Sequence, residues 1–459
     1  MDDGWASGML RARRRRTDAD PPTSPEALTG AIWLSRLRGA GLARHGAITY
    51  VYSVLGLFAN LVTGVVSARA LGPDGRGVTV ALSAFTQLIG FFFAMGAAQG
   101  LSYFIAREPS QGPRLFTTWI VILLPLTLLA VALGEVLLRT VFSAHNAEAI
   151  AVGRWFVATV VLAIALELNS GLLLGAQDFI FFNTLRFAQP AMMAASYLVL
   201  WRLGSLTVTT ALIAPTVGTA IVLVIGIWRS VKRIGLARPA FRIGRRTLWY
   251  AVRGHGLLIA SNVNARLDLA ILPAFTDASQ VGLYAVATNV SLIVYQLSNT
   301  FSALVLASAA GDPERARDRV LGSLYATLAV AGALALVIGL FSGPLLRLVY
   351  GAPFESAAPT LRLLLPGAVL FAGSAILSAG VYAAGRPLTT SAAQLVGMVV
   401  TVVGLSVFLR KGGITAAALV STAAYSTVFA ASLLAYKSVH QIPWRSLVPT
   451  RGRLRALLQ

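Results

Sequence analysis

The sequence predicts an all-α polytopic membrane protein with about twelve transmembrane helices arranged as two six-helix repeats. Three observations carry that prediction. The 459 residues are 56% hydrophobic and only 12% charged, whereas soluble domains carry about 25% charged residues. Mean hydropathy is +0.74, and the apolar residues gather into runs of about twenty, enough to cross a hydrocarbon core of roughly 30 Å. The remaining charge is lopsided, with 38 basic side chains against 17 acidic and a net charge of +21. Such a balance suggests a nucleic-acid binder, but that class needs a polar surface to carry its patch. This composition leaves none, so no nucleic-acid partner is expected.

The apolar runs span residues 47–69, 78–105, 115–138, 149–174, 183–201 and 205–228, then 254–275, 282–309, 321–343, 359–384, 388–409 and 413–436. The first lasts too long for the apolar core of a cleaved signal peptide. Ahead of it, residues 1–46 read as a basic cytoplasmic segment, disordered in part, where Arg13–Arg16 give way to Asp, Pro and Ser. Pro125, Pro190, Pro215, Pro273 and Pro366 fall inside spans. Neighbouring helices and hydroxyl side chains can satisfy the carbonyls they free. Arg186 and Pro190 make the start of the fifth span the weakest.

The longest connection, 229–253, holds Arg229, Lys232, Arg233, Arg238, Arg242, Arg245, Arg246 and Arg253 and no acidic residue. It reads as a cytoplasmic linker between an N-terminal lobe, 47–228, and a C-terminal lobe, 254–436. Residues 437–459 form a basic tail whose Trp444, Leu447 and Arg451 suit a short segment lying on the membrane. No connection is long enough to house a soluble catalytic domain. Cysteine is absent and the four histidines lack metal-site spacing, so no metal and no cofactor is expected.

Orientation follows from the basic residues, which concentrate in cytoplasmic loops. With the N-terminus in the cytoplasm, 27 of the 38 fall on that side and six in outer loops: Arg76, Arg139, Arg202, Arg347, Arg410 and Lys411. An even number of spans puts both termini in the cytoplasm of a plasma-membrane protein. Sixteen of the net positive charges lie in the N-terminal segment, the linker and the tail. Those patches also attract anionic lipid headgroups, by roughly 1 kcal/mol per residue near the surface.

The two blocks of six resemble each other. Ala70-Leu71-Gly72-Pro73-Asp74-Gly75-Arg76-Gly77-Val78 follows the first span, and Phe275-Thr276-Asp277-Ala278-Ser279-Gln280-Val281-Gly282-Leu283 follows the seventh. Superimposing Gly77 on Gly282 sets an offset of 205, and Gly175 on Gly385 gives 210 at the ends of the fourth and tenth spans. Six helices per repeat give both halves one orientation, related by an axis along the membrane normal, with a binding site expected between them.

At these residues the chain resembles the polysaccharide-exporter branch of the multidrug/oligosaccharidyl-lipid/polysaccharide flippase superfamily. Ser67-Ala68-Arg69-Ala70-Leu71-Gly72-Pro73-Asp74-Gly75-Arg76-Gly77 carries the likeness, together with Asn264-Ala265-Arg266-Leu267-Asp268 and Val281-Gly282-Leu283-Tyr284-Ala285. The resemblance covers roughly residues 45–436 in helix count and order. It implies two six-helix lobes around a central cavity and the flipping of polyprenyl-diphosphate-linked sugars. It also implies polysaccharide polymerase and glycosyltransferases as working partners.

Ionisable groups at membrane depth are costly and mark candidate sites. Asn262, Asn264, Arg266 and Asp268 lie inside the seventh span, and each pair four apart shares a helix face. Arg266 would place paired donors on a substrate phosphate. Asp268 would be its counter-charge, or a proton or cation site. The competing structural reading is an ion pair, or snorkelling to the interface. Asn60, Gln87, Asn289 and Gln296 would line a hydrated cavity and bind sugar hydroxyls, or else act as interhelical contacts. Glu167 and Arg186 would be either a buried pair or separate cavity charges.

Three functional readings follow. The first is a lipid-linked oligosaccharide flippase working by alternating access, with a peptidoglycan-precursor flippase as a near neighbour. The second is a cation-coupled drug exporter, which a carboxylate in the first span would favour; Asn60 stands there instead. The third is a membrane glycosyltransferase or polymerase, and the short outer loops argue against it.

Overall fold

The computed structural model describes residues 25–142, 147–309, 313–384 and 386–443. The chain divides into two compact units, residues 1–55 and 56–459. The described part of the first is helix alone; the second holds the remaining elements.

Thirteen helices occur among the described residues: α1 Pro25–Phe93, α2 Ala97–Arg107, α3 Gly112–Val141, α4 Ala147–Val157, α5 Val160–Gly175, α6 Phe179–Arg202 and α7 Val208–Ile234, then α8 Phe241–Ile271, α9 Ala278–Ala309, α10 Pro313–Leu340, α11 Ser342–Tyr350, α12 Ala358–Ala383 and α13 Pro387–His440. With 54 residues, α13 would run about 80 Å at 1.5 Å per residue, far beyond one crossing. It breaks at Gly413, whose φ of 49° and ψ of −135° lie outside the helical region. Likewise α1 breaks at Gly72, φ 66°. Each therefore holds two of the expected spans. The second span continues past a left-handed Gly96 into α2, and the fourth is shared by α4 and α5. Twelve crossings result, an all-α bundle as expected.

Eight stretches among the described residues are long and apolar enough to cross a membrane on composition. Two of them, Val51–Phe93 and Leu388–His440, are the broken double spans. Of the twelve, α6 falls short of that criterion. In α6, Asn183, Arg186 and Gln189 dilute the apolar run. Polar side chains within a span make it hard to see by hydropathy.

The bundle turns its apolar residues outward as well as inward. Val399, Val403 and Val407 are each 56% exposed at a spacing of four, and Leu124 and Leu128 repeat the pattern on α3. Such an apolar stripe with no protein cover faces hydrocarbon. Inside, Trp119, Tyr197, Tyr284 and Tyr436 are fully buried.

The basic linker is mostly helical rather than loop. The helix α7 continues to Ile234 and α8 begins at Phe241, leaving only residues 235–240 between them. Long Arg and Lys side chains lose little freedom in a helix, so their abundance does not stop it. The first half of α8 packs on the first lobe. Thr118 Oγ1 of α3 accepts the Ala240 N–H at 2.8 Å, and His255 Nε2 meets the Phe91 carbonyl at 2.8 Å. Its second half packs against α9 and α13. Residues 25–46 are helical, while residues 1–24, most of the stretch expected to be disordered, lie outside the described residues. Arg13–Arg16, His145, Gly385 and the tail from Trp444 lie outside the described residues.

Candidate functional site

The second half of α8 carries polar side chains on two faces. Asn264 and Asp268, each 2% exposed, point into the second lobe. The Asn264 amide donates to the Gln394 carbonyl at 3.1 Å, and its Oδ1 accepts from Thr401 Oγ1 at 2.9 Å. Asp268 Oδ2 accepts from the Tyr284 hydroxyl of α9 at 2.5 Å and from Ser421 Oγ of α13 at 3.3 Å. Its Oδ1 takes the Leu269 N–H at 2.8 Å. Three donors thus surround a buried carboxylate that has no cation within ion-pair distance among the described residues. Beside it lies an aromatic ladder: Tyr295 against Phe371 at 4.7 Å, and Phe371 stacked on Tyr425 at 4.6 Å.

Arg266 lies on the other face. Two residues turn a helix by about 200°, which carries it away from both Asn264 and Asp268. Its side chain keeps accessible surface although protein encloses the guanidinium, and Asp268 is the charge that acts on it. No hydrogen bond or ion pair joins Arg266 to another described residue, so the two are not a direct ion pair.

Other polar residues show the same mixture of enclosure and access. From Ala84 to Gly90 every side chain is buried except Gln87, and from Val281 to Ser291 every one except Asn289. Asn60 of α1 is exposed as well. An accessible amide at membrane depth is stable beside water and not beside lipid. Asn262 and Gln296 are half-buried.

Glu167 is half-buried and Arg186 exposed, and they form no ion pair with each other. The first lobe instead pairs Arg229 with Asp178 at 2.8 Å, the guanidinium lying 5.2 Å from the Phe181 ring centre. Ser230 Oγ donates to the buried Asn169 at 2.9 Å. Arg76, expected in an outer loop, is 8% exposed and donates to Ser67 Oγ at 2.8 Å. The break at Gly72 folds this segment back against the bundle.

Tyr284, Ser421, Thr401 and Gln394 carry no marking in the sequence as partners of α8. Tyr284 stands in the repeated motif, which gives it a place but no role. The others lie more than a hundred residues from α8, and only the tertiary fold brings them there.

Neither a known family signature nor a curated relative matches the sequence. Solved structures do. The chain superposes on the lipid II flippase MurJ in an inward closed conformation with a TM-score of 0.70, at 16% identity over 91% of each chain. It superposes on an inward-facing multidrug resistance MATE family transporter of the MOP superfamily with a TM-score of 0.66, at 16% identity over 88% of this chain and 95% of that one. The fold is that of the MOP-superfamily transporters. A third member with this fold, a MOP superfamily transporter from Pyrococcus furiosus, gives a TM-score of 0.52 at 14% identity, over 91% of this chain and 96% of that one. This fold, with eight stretches among the described residues long and apolar enough to cross a membrane, makes the chain a multi-pass membrane protein.

Proposed function

We propose that the protein is a plasma-membrane flippase that exports a polyprenyl-diphosphate-linked oligosaccharide for cell-surface polysaccharide synthesis by alternating access. Arg266 carries this reading. It is a permanent cation at membrane depth, accessible and without an ion-pair partner, and a diphosphate is the group it suits best, since a guanidinium offers paired donors to phosphate oxygens. Asn60, Gln87 and Asn289 supply accessible amides for sugar hydroxyls, and the half-buried Asn262 and Gln296 add to the set. Asp268 is the proton or cation site that would drive the cycle, and Glu167 and Arg186 are separate cavity charges. The lobes are residues 47–228 and 254–436, with both termini in the cytoplasm and the basic clusters drawing anionic lipids to the entrance.

The MurJ likeness supports a lipid-linked substrate and keeps a peptidoglycan precursor as the second reading. A drug exporter is third. A strain lacking the protein should accumulate lipid-linked oligosaccharide in the inner leaflet and lose surface polysaccharide. Unchanged polysaccharide with arrested peptidoglycan synthesis would select the second reading instead. Reporter fusions within residues 235–240 should report a cytoplasmic position.

A further inference from the structure

The two halves of α13 pack antiparallel on either side of the break at Gly413, and their separation changes along their length. Nearer the break they touch. A Cβ built on Gly404 would lie 2.7 Å from a Val420 methyl, and one on Gly397 would lie 2.2 Å from a Val428 methyl. Further from the break the halves part around a groove of about 940 Å³, within the roughly 300–1,000 Å³ of small-molecule sites. Alanine at 392, 393, 431 and 435 lines it and leaves space that longer side chains would fill.

The groove is polar at one end only. Its lip holds Thr389 from the first turn of α13, and Lys437, Ser438 and Gln441 from the last turn and cap. The depth runs about 10 Å along the helices at 1.5 Å per residue, past the alanines to Val396 and Leu434. Those two side chains are exposed, as befits a wall that faces hydrocarbon. On the orientation set by the basic residues, the lip lies at the level of the cytoplasmic headgroups.

Gln441 adds an independent observation. It takes the left-handed conformation, φ 51° and ψ 42°, which glycine adopts freely and other residues adopt at a cost. The turn lets the Ile442 N–H reach the Lys437 carbonyl at 3.2 Å and buries Ile442 beside Val320 and Ile376. Glycine would make the same turn without strain. What glutamine adds is an amide side chain on the groove.

We infer that this groove is a binding site for an anionic phospholipid. The phosphate sits at the lip on Lys437, with the Ser438 hydroxyl and the Gln441 amide, and an acyl chain lies in the apolar depth. Basic pockets between transmembrane helices on the cytoplasmic side hold acidic headgroups in this way. Lys437 also complements the negative end of its helix, but that role asks for neither a slot nor an amide. A lipid seated here bridges the two helices where their own side chains do not meet.

The inference rests on the chain spanning a membrane, and on neither its cargo nor its transport. Delipidated full-length protein in detergent, titrated with dioleoyl phosphatidylglycerol or dioleoyl phosphatidylcholine and read by native mass spectrometry, tests it. Phosphatidylglycerol should bind at least tenfold more tightly than phosphatidylcholine and raise Tm. Glycerol phosphate, which lacks the chains, should do neither. Lys437→Gln should weaken phosphatidylglycerol binding about tenfold, the loss of one charge-assisted hydrogen bond. Ala392→Trp, at an exposed position on the slot, should weaken both lipids alike. Gln441→Gly separates site from scaffold: it should raise the Tm of the lipid-free protein by relieving the left-handed glutamine, yet weaken phosphatidylglycerol binding severalfold. Equal binding of the two lipids, protection by glycerol phosphate alone, or undiminished phosphatidylglycerol binding in folded Lys437→Gln and Ala392→Trp proteins would overturn the site.

Discussion

One face of α8 fastens Asn264 and Asp268 to α9 and α13 through Tyr284, Ser421, Thr401 and Gln394. The opposite face presents Arg266 with accessible surface and no hydrogen-bonding partner among the described residues. The same helix thus spends its amide and carboxylate on the protein and pairs its guanidinium with no other described residue. A buried polar group left without partners costs about 1–3 kcal/mol, so the first face must be satisfied internally. A cation at membrane depth is tolerated only beside water or a counter-charge. Under the proposed function, the fastened face holds the lobe and the open face meets the cargo.

Breaking the open face should have the largest effect. Arg266→Ala should lower transport by about tenfold to a hundredfold, the worth of one charge-assisted hydrogen bond or more, with no change in thermal stability. Arg266→Lys should retain part of the activity, because it keeps the charge and loses the paired donors. Vesicle transport and a melting curve on each variant check both statements.

On the fastened face the signs differ. Asp268→Ala should cost about 1–3 kcal/mol of stability, since the Tyr284 and Ser421 hydroxyls lose their acceptor. Asp268→Asn retains an acceptor and most of that stability, yet it should stop ion-coupled transport if the carboxylate carries the proton or cation. Normal transport by a well-folded Asp268→Asn protein would make this face structural only.

Smaller changes sharpen the contrast. Gln87→Ala and Asn289→Ala should each reduce transport about threefold to tenfold without melting the protein, one neutral hydrogen bond being worth about 1 kcal/mol. Thr401→Val should do the reverse, costing about 1 kcal/mol of stability through the lost bond to Asn264 while leaving transport near the parent rate.

Much of the architecture was legible in the sequence, because crossing a bilayer demands apolar runs of fixed length and closed backbone hydrogen bonding. The repeat was legible at Gly77 and Gly282, where close approach of two backbones admits no side chain. The continuity of α8 through the basic linker was not, since charge density marks a cytoplasmic position and does not say whether the segment is helical. At the site, Arg266 and Asp268 stood out because ionisable residues are rare at that depth. Their division onto two faces follows from helical geometry. What fastens one face does not, because Ser421 and Thr401 are ordinary hydroxyls until folding sets them against α8. Arg76 misled for a related reason: a basic residue after a turn counts as loop unless a break such as Gly72 folds it inward.

The central claim is that Arg266 reads the anionic headgroup of a lipid-linked cargo. Purified protein in vesicles, given a fluorescent polyprenyl-diphosphate sugar and an otherwise identical neutral analogue, tests it directly. The parent protein should flip the diphosphate far faster than the neutral lipid, and Arg266→Ala should erase that difference while remaining folded. Equal flipping of the two lipids by the parent, or an undiminished preference in Arg266→Ala, would contradict the account.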